Sequence, residues 1–365
     1  MSKRVIIGGG GTGGHIFPAI SIANALRSVE KDIEILFVGA LNKIEMDKVP
    51  EAGYKIIGLP VAGFQRKLSL KSISFFVKLW QSMHRSKKIL IDFKPDVALG
   101  VGGYASGPIL KAAARKRIPV VIQEQNSYAG ITNRILAKSA SKICVAYDGM
   151  EKFFPAEKII LTGNPVRRDI INLSSDKESA LRFFGLDTSK QTILVLGGSL
   201  GARTINNSIA GTLKYIPDDI QLLWQCGKLY FKEMKARLEE SGKKNIILKE
   251  FISEMNLAFC AADVIISRAG AGTISELAIV AKPVILVPSP NVAEDHQTQN
   301  ALSLVNKGAG ILIKDSEAPE LLMERALSLL KNPEERKKLS ENLKMLAIPD
   351  SAERIAREIL KLIEK

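Results

Sequence analysis

Cysteine, histidine and aromatic residues are all scarce in this 365-residue chain, and each shortage closes off a class of function. Three cysteines, Cys144, Cys226 and Cys260, are odd in number and far apart. That fits neither a disulfide framework nor a CxxC metal site, so they read as small buried hydrophobes. Three histidines, His15, His84 and His296, form no HExxH pair, and no Asp-x-Asp stands ready to hold a divalent ion against a nucleotide diphosphate. Neither a metal nor a cofactor is expected. Aromatics reach only 6%, with no RNA-binding motif and no repeated aromatic platform, which argues against nucleic acid as a partner. The longest apolar runs, such as Val120 to Ile122 or Val284 to Val287, fall far short of the roughly 20 residues of a membrane-spanning helix. Residues 1–7 begin basic but pass straight into glycines, without the apolar stretch of a secretory signal, so a cytoplasmic chain is expected. No glycine is followed by Lys-Ser or Lys-Thr, which excludes a P-loop.

What is present is alternation. Short β-branched runs (Val5–Ile7, Ile33–Val38, Val97–Leu99, Val120–Ile122, Lys142–Val145, Thr192–Leu196, Gln221–Trp224, Val264–Ile266, Val284–Val287) are separated by helical stretches, the signature of α/β folding with parallel, doubly covered sheets. The chain also resembles itself. Arg4 to His15 and Ile193 to Arg203 each read as a buried strand, a glycine loop and a helix start, and Asp96 to Ser106 parallels Asp263 to Thr273. Two similar domains in tandem are expected, 1–164 and 165–347, joined near Thr162-Gly163-Asn164-Pro165. A final helix, 348–365, is expected to pack back across them.

Lys and Arg outnumber Asp and Glu by 52 to 38, a net +14 that predicts an anionic partner. From Phe64 to Leu90 there are basic residues, including Lys71 and Lys78, and no acid at all. Within that stretch Ile73, Val77, Trp80 and Met83 recur at helical spacing with Phe76 beside them. An apolar stripe flanked by lysines suits contact with an anionic membrane surface; it equally suits a helix packed on its own domain with a solvated basic rim.

Glycines between a strand and a helix let backbone approach a phosphate, and the helix N-terminus offers N–H groups and partial positive charge. Four such loops occur, two per domain. Dinucleotide binding is disfavoured, because the second strand ends Phe37-Val38-Gly39-Ala40-Leu41-Asn42 where a ribose-binding acid belongs. In the second domain Glu276 follows the Gly270–Gly272 loop; it could accept ribose hydroxyls, or simply complement a helix dipole. His15 closes the first loop and His296 opens a polar helix, so each could move a proton, bind phosphate, or cap a helix.

These residues resemble a known family. Gly10-Gly11-Thr12-Gly13-Gly14-His15, Gly102-Gly103-Tyr104-Ala105-Ser106-Gly107-Pro108, Glu124-Gln125-Asn126, Gly163-Asn164-Pro165-Val166-Arg167, Gly197 to Arg203 and Arg268 to Glu276 are similar to the MurG family of bacterial N-acetylglucosaminyltransferases, over nearly the whole length and in the family's order. The resemblance implies a GT-B fold, two Rossmann-like parallel-sheet domains facing a cleft. It implies inverting, metal-independent transfer of N-acetylglucosamine from UDP-GlcNAc to the muramoyl 4-hydroxyl of undecaprenyl-diphospho-muramoylpentapeptide. Donor contacts would come from Thr12, Gly13, Gly14, Asn126, Arg167, Ser199, Ile252, Ala271, Gly272, Thr273, Ile274, Ser275, Glu276, His296, Gln297 and Asn300. Of these, Glu276 would hold the ribose and Ile252 with Arg167 the uracil. The acceptor diphosphate would meet Gly13, Gly14, His15, Gly102, Gly103, Tyr104 and Ser106, with His15 as candidate base. The implied place is the cytoplasmic face of the membrane, peripherally bound, with cell-wall synthesis or division proteins as further partners. Rival readings are another GT-B lipid glycosyltransferase, a UDP-sugar epimerase, or a basic adaptor without catalysis.

Overall fold

The computed structural model describes residues 2–61, 70–173, 176–198, 200–292 and 295–364, with 70–74 described by their backbone alone. The chain divides into two units, Met1–Val166 with Asp350–Lys365, and Arg167–Pro349. Unit 1 runs β1 (Arg4–Gly8), α1 (Gly13–Val29), β2 (Glu34–Ala40), α2 (Glu45–Glu51), β3 (Lys55–Leu59), α3 (Leu70–Phe93), β4 (Val97–Gly100), α4 (Ser106–Arg115), β5 (Val120–Glu124), α5 (Ile131–Leu136), β6 (Lys142–Val145) and β7 (Ile159–Leu161). Unit 2 runs α6 (Arg168–Ile171), α7 (Lys177–Phe184), β8 (Gln191–Leu196), α8 (Arg203–Thr212), β9 (Ile220–Gln225), α9 (Phe231–Ser241), β10 (Ile246–Lys249), α10 (Met255–Ala261), β11 (Val264–Ser267), α11 (Ala271–Val280), β12 (Val284–Leu286), α12 (His296–Val305), β13 (Ile311–Leu312), α13 (Ala318–Leu330) and α14 (Pro333–Lys344). The chain then returns to unit 1 as α15 (Ser351–Ile363).

Among the described residues, each unit holds one wholly parallel sheet. The orders are β3-β2-β1-β4-β5-β6-β7 and β10-β9-β8-β11-β12-β13. The same winding appears twice, as the repeated sequence requires. Side chains alternate across a strand, so β1 sends Val5 and Ile7 into one core layer and Ile6 into the other. The first layer is roofed by α1 and α15; Ile355, Ala356, Ile359 and Leu360 are buried there with Ile22 and Leu26. The second is covered by α4 and the inner face of α3. In unit 2 the fully buried Trp224 anchors the layer beneath α8 and α13, its indole N–H donating to Asn206 Oδ1 at 3.0 Å.

Both sheets reverse direction at their first strand: β1 lies between β2 and β4, and β8 between β9 and β11. A doubly wound sheet opens a crevice at the carboxyl ends of such strands. The loops that fall there are 9–12 and 101–105 in unit 1, and 197–202 and 268–270 in unit 2. These are the four glycine loops.

Candidate active site

In unit 1 the two loops are built against each other. Gly103 has φ +82, and a Cβ there would fall 2.1 Å from the Gly10 carbonyl oxygen, so only glycine lets the second loop close on the first. Ser106 Oγ donates to the Gly103 carbonyl at 2.8 Å, and Gln125 Nε2 donates to the Val101 carbonyl at 2.8 Å. Asn164 ties the base of this arrangement together. It donates to the Gln125 carbonyl at 2.9 Å and accepts from Gln123 Nε2 at 2.9 Å. His15, in the first turn of α1, brings Nδ1 to 3.1 Å from the Gly10 carbonyl and 3.2 Å from Thr12 Oγ1, and its ring edge lies under Gly102. The α1 N-terminus therefore presents Thr12, Gly13 and Gly14 beside His15, with the N–H groups of Gly13 and Gly14 opening from its first turn.

Two buried carboxylates that sequence reasoning left without a role organise these loops. Glu45 has no exposure and accepts Gly11 N–H at 2.9 Å and Ala40 N–H at 2.8 Å. Glu124, 2% exposed, accepts from Asn126 N at 3.1 Å, Gly130 N at 3.0 Å and Asn133 Nδ2 at 2.9 Å. It sets the loop that carries Asn126. Glu124 stands in the Glu124-Gln125-Asn126 motif and its partners lie within nine residues, whereas Glu45 reaches Gly11, 34 residues away, which the fold had to supply.

In unit 2, α11 begins at Ala271 after Gly270, so the N–H groups of Gly272 and Thr273 open from its first turn. Five residues into this helix, Glu276 meets Arg167, with Nε donating to Oε1 at 3.2 Å. Burial pushes the Glu276 carboxyl above the usual glutamate range, and the Arg167 guanidinium pulls it partly back. Gln297 Oε1 accepts Ser289 N–H at 2.9 Å, and His296 stands at the start of the same helix.

Burial bears on several of the expected contacts. Ser106 has no exposure and its hydroxyl donates to Gly103, so it shapes the loop from within. Asn300 is likewise buried and donates to the Ala269 carbonyl at 3.3 Å, holding the turn before α11. The side chains of Ile252 and Ile274 are 2% exposed, which leaves only their backbone for a nucleotide. Met83 is partly buried against the core, whereas Phe76, Val77, Lys78 and Trp80 are exposed. Tyr104 is exposed, as a contact residue must be. Ser199 lies outside the described residues, as do the side chains of Lys71 and Ile73. Cys144 and Cys226 are buried, and burial pushes their thiols up to about 12 and about 11, the behaviour of packed hydrophobes.

An apolar cavity of about 440 Å³ lies in unit 1 between α3, α4 and α5. Phe75, Leu79, Met83, Pro108, Ile135 and Leu136 line it, with Lys111 and Arg115 also in its wall. None of the described helices is long and apolar enough to cross a membrane.

Two doubly wound units with paired glycine loops are a GT-B architecture, and the comparisons supply the class of enzyme. Residues 5–145 match the glycosyltransferase family 28 N-terminal domain and residues 192–355 match the C-terminal domain, so the chain belongs to glycosyltransferase family 28. Over 364 residues it is 58% identical to the UDP-N-acetylglucosamine–N-acetylmuramyl-(pentapeptide) pyrophosphoryl-undecaprenol N-acetylglucosamine transferase of Phocaeicola vulgatus, spanning 99% of this chain and 97% of that one. The protein of that name from Bacteroides fragilis is 56% identical, with 99% and 96% covered. The crystal structure of Acinetobacter baumannii MurG superposes with a TM-score of 0.82 at 28% identity, covering 98% of this chain and 99% of that one. Within family 28, the chain belongs to the MurG transferases. The readings as an epimerase or as an adaptor without catalysis are thereby set aside.

Proposed function

We propose that the protein transfers N-acetylglucosamine from UDP-GlcNAc to the muramoyl 4-hydroxyl of undecaprenyl-diphospho-muramoylpentapeptide, the last glycosyl step of the peptidoglycan lipid precursor. The observation that carries this is identity of 56 to 58% to transferases of that name over nearly the full length of both chains.

The donor is assigned to unit 2. Glu276 takes the ribose hydroxyls, with Arg167 as the cation that keeps its carboxylate ionised. The α11 N-terminus, Ala271 to Ser275, faces the diphosphate with Ser199, while Gln297 and His296 approach the sugar. The acceptor diphosphate is assigned to the α1 N-terminus and to Gly102, Gly103 and Tyr104 in unit 1, and Thr12 to Gly14 with Asn126 complete the donor set. The 4-hydroxyl oxygen attacks the anomeric carbon on the face opposite UDP. The C1–O bond to the β-phosphate breaks, UDP leaves with the electron pair, and the hydroxyl proton passes to His15. One displacement inverts the anomeric centre. Helix N-termini and side chains stabilise the leaving diphosphate, so neither metal nor cofactor is assigned a part.

The exposed face of α3 is read as the contact with an anionic bilayer, which would place the enzyme peripherally on the cytoplasmic side, near other cell-wall synthesis or division proteins. Aromatic rings and lysines on one helical face combine apolar burial with attraction to lipid headgroups. The deciding experiment is UDP release from UDP-GlcNAc with and without a short-chain acceptor analogue, in excess EDTA. Acceptor-dependent release that survives EDTA is expected. Release that needs added divalent ion, or that ignores the acceptor, would overturn the mechanism.

A further inference from the structure

The Gly10–Gly11 peptide is gripped at both of its polar ends. Its N–H lies 2.9 Å from each oxygen of Glu45, and its C=O lies 3.1 Å from His15 Nδ1. A trans peptide aims N–H and C=O in opposite directions, so carboxylate, peptide and imidazole stand in series. A carbonyl can only accept, so the nitrogen that meets it carries the proton, and neutral His15 then keeps its basic lone pair on Nε2. Thr12 Oγ1, 3.2 Å from the same Nδ1, can share that proton without changing the tautomer.

We propose that Glu45 is a positioning residue that acts on His15 through the Gly10–Gly11 peptide. Its charge polarises the peptide and makes the Gly10 carbonyl a stronger acceptor. That fixes the Nδ1–H tautomer and leaves Nε2 as the proton-accepting atom. Hydrogen bonds in series reinforce one another where water is excluded, and Glu45 has no solvent exposure. The arrangement does through an inserted peptide what the aspartate of a Ser-His-Asp triad does by direct contact. A neutral acceptor would have satisfied Gly11 N–H at lower desolvation cost, and Glu45 has only two backbone partners, Gly11 and Ala40, among the described residues. Closing the turn therefore does not by itself account for a full buried charge. The loop is also shaped around this residue: a Cβ at Gly10 would fall 2.1 Å from Glu45 Oε1. The proposal rests on reading His15 as the proton acceptor.

Imidazole 15N spectra report the tautomer directly, and three histidines in the chain make assignment by single variants simple. Wild-type His15 is expected to carry its proton on Nδ1; a proton on Nε2 overturns the proposal with no variant needed. Glu45→Gln retains an oxygen for Gly11 N–H but removes the charge. We expect a mixed His15 tautomer and kcat lowered about tenfold or more, below the ~10²- to 10⁴-fold of a lost general base. KM for UDP-GlcNAc should stay within about twofold, because uniform binding is untouched. A folded Glu45→Gln protein with an unchanged His15 spectrum and unchanged kcat overturns the idea. If the spectrum changes while His15→Asn leaves kcat intact, the relay stands and the assignment of His15 as base fails. Should Glu45→Gln not fold, Glu45→Asp, which keeps the charge but draws it back from Gly11, is read in the same way, and a wild-type proton on Nε2 still overturns the proposal.

Discussion

In the proposed donor site Glu276 carries opposed demands. As a charged acceptor for ribose hydroxyls it would have to be ionised, yet burial holds its carboxyl above the ordinary range and Arg167 only partly offsets this. Donor affinity should therefore weaken on acidification at a higher pH than an ordinary glutamate would set, and Arg167→Met should move that limb further up. The stability consequence has the opposite sense. A group whose folded pKa is raised contributes stability that is whole below its unfolded value and is lost as pH rises through the folded one. Glu276→Gln should then raise Tm by more at about pH 8 than at about pH 4, while raising KM for UDP-GlcNAc roughly 10- to 100-fold through lost charged hydrogen bonds. Arg167 is well exposed, so breaking its pair costs little in stability. Thermal melts at both pH values and initial rates check this; a Tm gap that does not vary with pH would contradict the raised carboxyl.

At the scale of elements, α3 carries two apolar stripes, and periodicity alone could not say which faces inward. Ser82, Ser86, Ile89 and Leu90 are buried with Met83 partly so, whereas Phe76 and Trp80 are 62% and 69% exposed. α3 packs against α4, and that choice of packing face exists only in the folded chain. Phe76→Glu with Trp80→Glu should abolish most binding to anionic vesicles while leaving Tm and donor KM unchanged, measured by co-sedimentation and by assay with a soluble acceptor. Met83→Asp should lower Tm instead, by setting an unpaired charge against the core. Strands divide in a similar way. The nine read from β-branched runs are the interior strands of both sheets, with ends that differ by no more than two residues. The four not read, β3, β7, β10 and β13, are the four sheet edges. Three of these edges, Ile159–Leu161, Ile246-Ile247-Leu248 and Ile311–Leu312, carry short apolar runs much like those of central strands, but they are only partly buried, so run length alone does not separate them from loops. The loops were legible because glycine spacing is local. Asn300 and Glu45 were not, since their roles depend on which distant backbone groups the fold brings to them.

For the molecule as a whole, the path of the chain matters more than any one contact. Unit 2 is inserted into unit 1, which is completed by α15. Ile359 is fully buried in that layer, so Ile359→Ala should cost about 2–5 kcal/mol. The loss should fall on unit 1 alone. Calorimetry should show one transition moving down while the other, which saturating UDP-GlcNAc raises, stays in place. A common downward shift of both would mean the units unfold as one.

That insertion also orders events during synthesis. A ribosome delivers every residue of unit 2 before it delivers the helix that completes unit 1, so the half begun earlier is finished later. Until α15 clears the exit tunnel, α1 and the first sheet keep a bare greasy flank, and a stalled nascent chain should be held there by chaperones.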